Sequence, residues 1–238
     1  MTATIVDHSL TYRGHSLRHL QHRLRLRVIG LEVGRMNLPS GLSYADFGCS
    51  NGFVTDHVRR TIKAGRACGF DKAQAHLDEG RGRHPDVEFR QIDLCHPGAV
   101  VDGYDVVTCF ETLEHVGDLE TAVDNVVAAI RPSGRALVTV PIEIGPVGIA
   151  KFAAKMALGY GFGSLPRPPG LFWRYLGALL TGSRISRFRN RRAGWGTHFG
   201  FDYRDLDEAL HRRGADFIAW NSGTTRFYRI SAASAGRC

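Results

Sequence analysis

Short apolar runs, each followed by a segment of helical spacing, recur along the chain. The spacing is clearest in residues 119–130, where apolar side chains return every three or four positions. The apolar runs that read as strands are 43–47, 66–70, 87–93, 104–110 and 135–140. Strands that alternate with helices predict a parallel, doubly wound α/β sheet.

Both ends of the chain carry further elements. Residues 15–33 read as a helix whose apolar face is formed by Leu17, Leu20, Leu24, Val28 and Leu31. Residues 202–213 read as a second helix with Asp202 as its N-cap, and 215–220 and 225–230 read as two last strands. Residues 144–196 interrupt the strand–helix alternation and are predicted to be a helical insertion.

A glycine loop follows the first strand with the pattern Asp46-x-Gly48-Cys49-x-x-Gly52. Glycine has no Cβ, so the backbone at Gly48 and Gly52 can approach a ligand closely. We expect backbone N–H groups and a helix N-terminus to face that ligand. A tight strand-to-helix turn without a ligand is the alternative interpretation.

Acidic residues stand where the second and third strands end. Asp71 follows the second strand, and a carboxylate at this place can accept the two hydroxyls of a ribose. Asp93 ends the third strand, where it could accept a hydrogen bond from an adenine amino group. The ordered motifs together are more specific than any one of them.

This series of motifs resembles the class I S-adenosylmethionine-dependent methyltransferases, over residues 40–143 and again over 198–230. The resemblance implies a methyltransferase enzyme with a single domain over residues 1–238. It also implies a mostly parallel, seven-stranded Rossmann-like sheet whose last strand is antiparallel. The cofactor-binding residues that it implies are Asp46, Gly48, Cys49, Ser50, Gly52, Asp71, Lys72, Ile92, Asp93, Leu94 and Phe110.

Candidate catalytic residues follow the fourth strand. Glu111, Glu114 and His115 have the spacing i, i+3 and i+4, so a helical turn would point all three to one side. With His198 they could bind Mg²⁺, Mn²⁺ or Zn²⁺, which would lower the pKa of a bound hydroxyl. Without a metal, His115 or His198 is the natural general base. The pattern also occurs in class I methyltransferases for which no metal is claimed.

The excess of basic over acidic residues belongs to the insertion. The formal net charge is +8, and no acidic residue lies between Glu143 and Asp202. Arginines mixed with apolar and aromatic side chains suit a helical hairpin on an anionic membrane, through residues 151–192. A lid over the substrate is the alternative, and the two are compatible. No run approaches eighteen apolar residues, so no transmembrane helix is expected. No secretory signal is recognised, and the cysteines are predicted to be reduced thiols, so we expect a cytoplasmic protein.

The Glu111–His115 pattern with a distant histidine resembles two branches of the family. One branch is the O-methyltransferases of ubiquinone biosynthesis, which implies a small aromatic or lipid-like acceptor near a membrane. The other is the small-RNA 2′-O-methyltransferases, for which the arginines would neutralise phosphates. A cofactor-binding regulatory protein without catalysis is a further alternative. We favour the first, and oligomeric state stays open.

Overall fold

A computed structural model describes residues 17–100, 102–157, 170–189 and 199–232. Seven strands form one sheet, in the order β3-β2-β1-β4-β5-β7-β6. The strands are β1 Ser43–Phe47, β2 Arg66–Asp71, β3 Glu88–Gln91, β4 Tyr104–Phe110, β5 Ile130–Pro141, β6 Asp216–Ser222 and β7 Thr225–Ser231. β1 to β5 pair in parallel, and β7 is antiparallel to both β5 and β6. The predicted fold class is therefore confirmed.

Helices cover the sheet, and side chains alternate between its two faces. The helices are α1 Leu17–Gly34, α2 Phe53–Ile62, α3 Gln74–Arg83, α4 Leu119–Ala128, α5 Gly145–Ala157, α6 Leu171–Leu180 and α7 Tyr203–Arg212. On β1, Ala45 and Phe47 pack into the core cluster beneath α4 and α7, whereas Tyr44 packs into the cluster on the side of α1 and α2. This two-residue period is the geometry of a strand that is buried on both faces.

The inward face of α1 differs from the prediction. Leu24 and Leu31, predicted on the apolar face, are 50% and 60% exposed, whereas Ile29 and Val33 are buried. Glu32 is also buried, because Arg35 pairs with one of its oxygens at 2.6 Å and Arg229 of β7 pairs with the other at 3.3 Å. Ion pairing therefore lets a charged position take the inward face.

The link between α4 and β5 also differs from the prediction. The strand predicted at residues 135–140 begins earlier, because β5 starts at Ile130 and already pairs with β4 there. The register of this pair shifts between Tyr104 and Val106. Gly134 lies against the Tyr104 carbonyl oxygen, which a Cβ at this position would approach to 2.7 Å. The absence of a side chain lets the backbone of β5 pass close to that of β4 at this point.

The described part of the insertion contains α5, α6 and a short 3₁₀ helix, Ser186–Phe188. A separate small core lies beneath these elements, formed by Tyr175, Ala178, Leu179 and Ile185. Tyr175 stacks on Phe199 with ring centroids 4.2 Å apart. The insertion is thus anchored by its own aromatic packing. No helix within the described ranges combines the length and the hydropathy needed to cross a bilayer.

Candidate active site

A cleft opens at the carboxyl ends of the strands, on the side of β1 to β4. The strand order reverses between β1 and β4, and ligands of open α/β sheets bind at such a switch point. The residues that line the cleft come from four strand ends and are Gly48, Phe70, Asp71, Lys72, Ile92, Asp93, Leu94, Cys95, Thr112 and Val116. Six of them belong to the predicted cofactor set.

The glycines of the loop are required by contacts inside the protein. Gly48 has a φ of +78°, and a Cβ there would lie 2.0 Å from Oγ1 of Thr112. Gly52 has the same φ, and its Cβ would meet the Phe89 ring at 2.4 Å. The loop therefore lies directly on the chain that follows β4 and on β3. Gly48 lines the cleft, whereas Gly52 packs away from it.

The expectation that the loop presents free backbone donors to a ligand is wrong at four positions. The N–H groups of Gly48 and Cys49 both donate to the Phe70 carbonyl, at 2.7 and 3.0 Å. Gly52 donates to the Cys49 carbonyl, and Ser50 donates to Oδ2 of Asp71 at 2.8 Å. These donors hold the loop against β2, because buried N–H groups need partners.

Asp71 joins the loop to the end of β2. Its Oδ2 accepts from Ser50, which adopts a φ of +50°, and its Oδ1 accepts from the Ala73 N–H at 2.8 Å. A positive φ in a residue other than glycine costs free energy and tends to occur at functional sites. Each carboxylate oxygen has a second lone pair, so Asp71 can still accept a ribose hydroxyl.

Asp93 carries the second carboxylate of the cleft. Lys72 pairs with its Oδ2 at 2.5 Å, and the Cys95 N–H donates to its Oδ1 at 3.0 Å. Burial alone would raise the pKa of Asp93, but Lys72 and Cys95 outweigh it and lower this pKa below its usual value. Asp93 is therefore ionised at neutral pH and is a suitable acceptor for an amino group.

Asp46 lies beneath the glycine loop, outside the lining of the cleft. Its two oxygens accept from the hydroxyls of Thr55 and Thr108, at 2.6 and 2.7 Å. Burial raises the pKa of Asp46 to about 6, although both hydroxyls lower it. The arrangement fixes β1 to α2 and β4. It makes Asp46 a support of the loop, and the cofactor contact implied by the resemblance stays a prediction.

Some of the other predicted cofactor residues line the cleft, and others pack in the core. Lys72, Ile92 and Leu94 line the cleft, whereas Cys49 and Phe110 pack into the core cluster beside α1 and α2. The sequence analysis missed the lining residues Phe70, Cys95, Thr112 and Val116. Their positions at or just after strand ends were the signal that could have identified them. Two carboxylates with apolar walls fit a nucleoside-containing cofactor.

Two buried glutamates follow β4. Glu111 has a φ of +48°, and its Oε2 pairs with Arg25 of α1 at 3.1 Å. Glu114 has no exposed surface. Burial raises the pKa of both carboxyls, and the Glu111 charge raises that of Glu114 further, whereas Arg25 lowers the pKa of both. Burial and the neighbouring Glu111 charge therefore favour the protonated form of Glu114, whereas Arg25 favours the ionised form of Glu111.

A third buried carboxyl, Glu143, arrives from the end of β5 and was not predicted. Its Oε1 pairs with Nζ of Lys151 on α5 at 2.5 Å, and Lys151 also donates to the Ile142 carbonyl at 3.3 Å. Glu143 and Lys151 both act on the pKa of Glu111, which they respectively raise and lower. The insertion thus contributes the cation of Lys151 to a cluster of three carboxyls, those of Glu111, Glu114 and Glu143.

The predicted metal ligands do not form a metal site among the described residues. No group of three His, Cys, Asp or Glu side chains in the described ranges has an arrangement that could hold a metal ion. Arg25 pairs with Glu111, and Nε2 of His115 is 3.9 Å from the buried Glu114 carboxyl. His198, the fourth predicted ligand, lies outside the described residues. The described part of the set does not fit a divalent metal.

The fold and the cleft together define the class of protein. A doubly wound sheet with a reversed seventh strand, two carboxylates at the ends of β2 and β3, and acids after β4 is the architecture that the resemblance to class I methyltransferases implied. Residues 45–136 match the family described as a methyltransferase domain. The predicted class is confirmed, and the cofactor of that class is S-adenosylmethionine.

Curated relatives and solved structures agree with this class. The chain is 32% identical over 125 residues to a ubiquinone biosynthesis O-methyltransferase of Leptothrix cholodnii, covering 49% of this chain and 50% of that protein. It is 30% identical over 122 residues to the protein of the same name from Acinetobacter baumannii, covering 49% of each. The chain therefore matches about half the length of these curated relatives.

Two solved structures share the fold at low sequence identity. One is the magnesium protoporphyrin IX methyltransferase of Synechocystis with bound SAH, with a TM-score of 0.62, 12% identity and coverage of 94% of this chain and 92% of that one. The other is a TehB-like SAM-dependent methyltransferase of Corynebacterium glutamicum, with a TM-score of 0.54, 13% identity and coverage of 95% and 100%. Both carry the same architecture.

Proposed function

We propose that this chain transfers the methyl group of S-adenosylmethionine to a hydroxyl oxygen of a small aromatic or lipid-like acceptor. The cluster of three carboxyls, those of Glu111, Glu114 and Glu143, carries the proposal, because an oxygen nucleophile needs a proton acceptor beside the methyl donor. Glu114 belongs to the same loop as Thr112 and Val116, which line the cofactor cleft. The names of the curated relatives support an O-methyltransferase.

The chain has to align the acceptor and remove its proton. The bound cofactor supplies an electrophilic methyl group on a sulfonium. We assign proton removal to Glu111, with His115 as the alternative base. The acceptor hydroxyl loses its proton to the carboxylate, the carbon–oxygen bond forms, and the carbon–sulfur bond breaks. The products are a methyl ether and a thioether, so charge and atoms balance.

A divalent metal at Glu111, Glu114, His115 and His198 stays a prediction. The pairing of Glu111 with Arg25 and the burial of Glu114 support proton removal by the protein itself. Transfer that a chelator leaves unchanged would agree with this, and transfer that a chelator abolishes would favour the metal.

We further propose peripheral contact with an anionic membrane through α6, at the inner face in a cytoplasmic protein. Trp173 and Leu180 are 72% and 64% exposed, Arg174 of the same helix is exposed, and Arg187 is exposed in the 3₁₀ helix that follows. Lys151, Arg184 and Arg189 do not contribute, because they contact Glu143, Asp205 and backbone carbonyls. Apolar and basic groups on one helix are the combination that binds anionic lipid.

Transfer of a labelled methyl group tests the proposal. The purified chain is incubated with methyl-labelled S-adenosylmethionine and lipid, RNA or polar-metabolite fractions, each with and without chelator. We expect label in the lipid fraction, lost in Glu111→Gln and kept in Glu88→Gln, which changes a half-exposed glutamate far from the cleft. Label in RNA would overturn the acceptor class. Cofactor binding without label in any fraction would favour the regulatory alternative.

A further inference from the structure

Arg189 connects the insertion to the loop that follows β4. Its Nη2 donates to three backbone carbonyls, those of Leu113 at 3.4 Å, Glu114 at 2.9 Å and Val116 at 2.7 Å. The guanidinium carbon also lies 5.3 Å from the centre of the buried Phe201 ring. One side chain of the insertion therefore bonds to three carbonyls of the loop from Glu111 to Gly117, here called the β4 loop.

The β4 loop forms one wall of the cofactor cleft. Thr112 and Val116 line the cleft, and Thr112 also lies on Gly48 of the glycine loop. The carbonyl of Val116 accepts the shortest of the three Arg189 bonds. A change in the position of Arg189 is therefore transmitted to a cofactor-facing residue through a single peptide group.

The β4 loop has little regular structure of its own. It begins at Glu111, with its φ of +48°, and makes a turn in which the His115 N–H donates to the Thr112 carbonyl at 2.9 Å. Residues held in a sparsely populated backbone region persist only where their surroundings fix them. A guanidinium suits this task, because its rigid plane lies by the Phe201 ring and fixes Nη2, whereas lysine presents a compact charge on a flexible stem.

The backbone of Arg189 is fixed from the other side by Gly200. This glycine has a φ of +75°, and a Cβ there would lie 2.8 Å from the Arg189 nitrogen. Residues 190–198, between these two positions, lie outside the described residues. Arg189 is thus held where the insertion returns to the core of the fold, next to α7.

We propose that Arg189 is a positioning residue that couples the insertion to the cofactor cleft. By holding three carbonyls of the β4 loop, it sets the position of Thr112 and Val116 for the cofactor and of Glu111 and Glu114 for the acceptor. Occupancy of the cleft and the position of the insertion are then linked, and each favours the other. The proposal rests on the proposed function, since it assigns the cleft to the cofactor.

Replacement by lysine keeps the charge and removes the planar guanidinium that places Nη2. Losing hydrogen bonds from a charged donor to the loop should weaken binding of S-adenosylhomocysteine about tenfold in Arg189→Lys, and more in Arg189→Ala. Arg187→Lys is the matched control, because Arg187 is exposed and lies over Phe188, 4.8 Å from the ring centre, two residues earlier in the chain. We expect the control to bind like the wild type.

The experiment combines titration calorimetry with amide hydrogen exchange on the full chain. Arg189→Lys should weaken binding and speed exchange in residues 112–117, while exchange in β4 stays unchanged. A general loss of stability would speed exchange in β4 as well, so the local pattern identifies positioning. Binding and exchange equal to the wild type would overturn the proposal, as would global unfolding of both Arg189 variants. Failure of the wild type to bind would instead refute the cofactor assignment.

Discussion

At the scale of the residue, close contacts within the protein explain the glycines and acids of the cleft. Gly48 lies on Thr112, Asp71 holds Ser50, and Asp46 accepts from Thr55 and Thr108. The sequence pattern predicted these positions because strand ends and glycine turns have recognisable signals. It could not separate the residues that face the cofactor from those that support them, since both roles use the same residue types.

Substitution of Gly48 tests the close contact. Gly48→Ala places a Cβ 2.0 Å from Thr112 at a φ of +78°, so we expect it to destabilise the fold by about 2 kcal/mol or more and to weaken cofactor binding. Gly82→Ala is the control, because Gly82 is an exposed residue of α3 with open space around it, and alanine there should stabilise by about 0.5–1 kcal/mol. Denaturant unfolding measures both, and equal stabilities would contradict the contact.

The pKa of Asp46 predicts a pH dependence of stability. Burial raises this pKa from 3.8 to about 6, so between these values the folded state binds more protons than the unfolded state. The contribution of Asp46 is therefore fully present below about pH 4 and is lost as the pH rises through about 6. Compared with Asp46→Asn, the wild type should lose on the order of 1–3 kcal/mol of unfolding free energy over this range. Parallel pH profiles of the two proteins would refute this.

At the scale of the element, Arg25 connects α1 to the candidate catalytic residue Glu111. Arg25 pairs with Glu111 and lowers its pKa, against the effect of burial. Removal of this charge should raise the pKa of Glu111, so that its carboxylate form is lost at a higher pH. The helix therefore acts on the candidate base as well as on the core beside α2.

The pH profile of transfer tests this contribution of α1. In Arg25→Gln, the acidic limb of the profile should move to higher pH, because Glu111 must be ionised to accept a proton. Arg27→Gln removes a charge from an exposed position of the same helix and should leave the limb in place. An unmoved limb in Arg25→Gln would show that Glu111 is not the group that titrates.

The elements themselves were largely predictable, because the strands are short apolar runs and Asp202 is an N-cap that accepts from the Arg204 N–H at 3.1 Å. The inward face of α1 was not predictable, since the burial of Glu32 depends on Arg229, which is distant in the sequence. The roles of Arg25, Glu143 and Lys151 were missed for the same reason. Their partners are set by the tertiary structure and cannot be identified from a local sequence pattern.

At the scale of the whole molecule, acids from other parts of the chain pair with some of the basic residues of the insertion. Arg184 contacts Asp205 at 2.8 Å and also Glu208, and Lys151 is paired with Glu143. The proposed membrane surface therefore consists of Trp173, Leu180 and the exposed Arg174 and Arg187. Apolar contact should contribute to binding alongside charge.

Vesicle binding tests this surface with a matched pair of leucines. Leu180→Ser should weaken sedimentation with phosphatidylglycerol vesicles by about tenfold or more, since a buried leucine side chain contributes about 1.5 kcal/mol or more on insertion. Leu31→Ser changes a leucine of similar exposure, 60% against 64%, on α1 and should bind like the wild type. Equal weakening in both variants would argue against a specific membrane face.

The most direct measurement is calorimetric titration of the purified chain with S-adenosylmethionine. We expect one binding site per chain, with binding weakened at least about tenfold in Asp71→Asn, because one oxygen that accepts hydrogen bonds is lost. Asp78→Asn, at a side chain that is 61% exposed, should bind like the wild type. A wild-type chain that does not bind, or an Asp71 variant that binds unchanged, would contradict the assignment of this cleft to the cofactor.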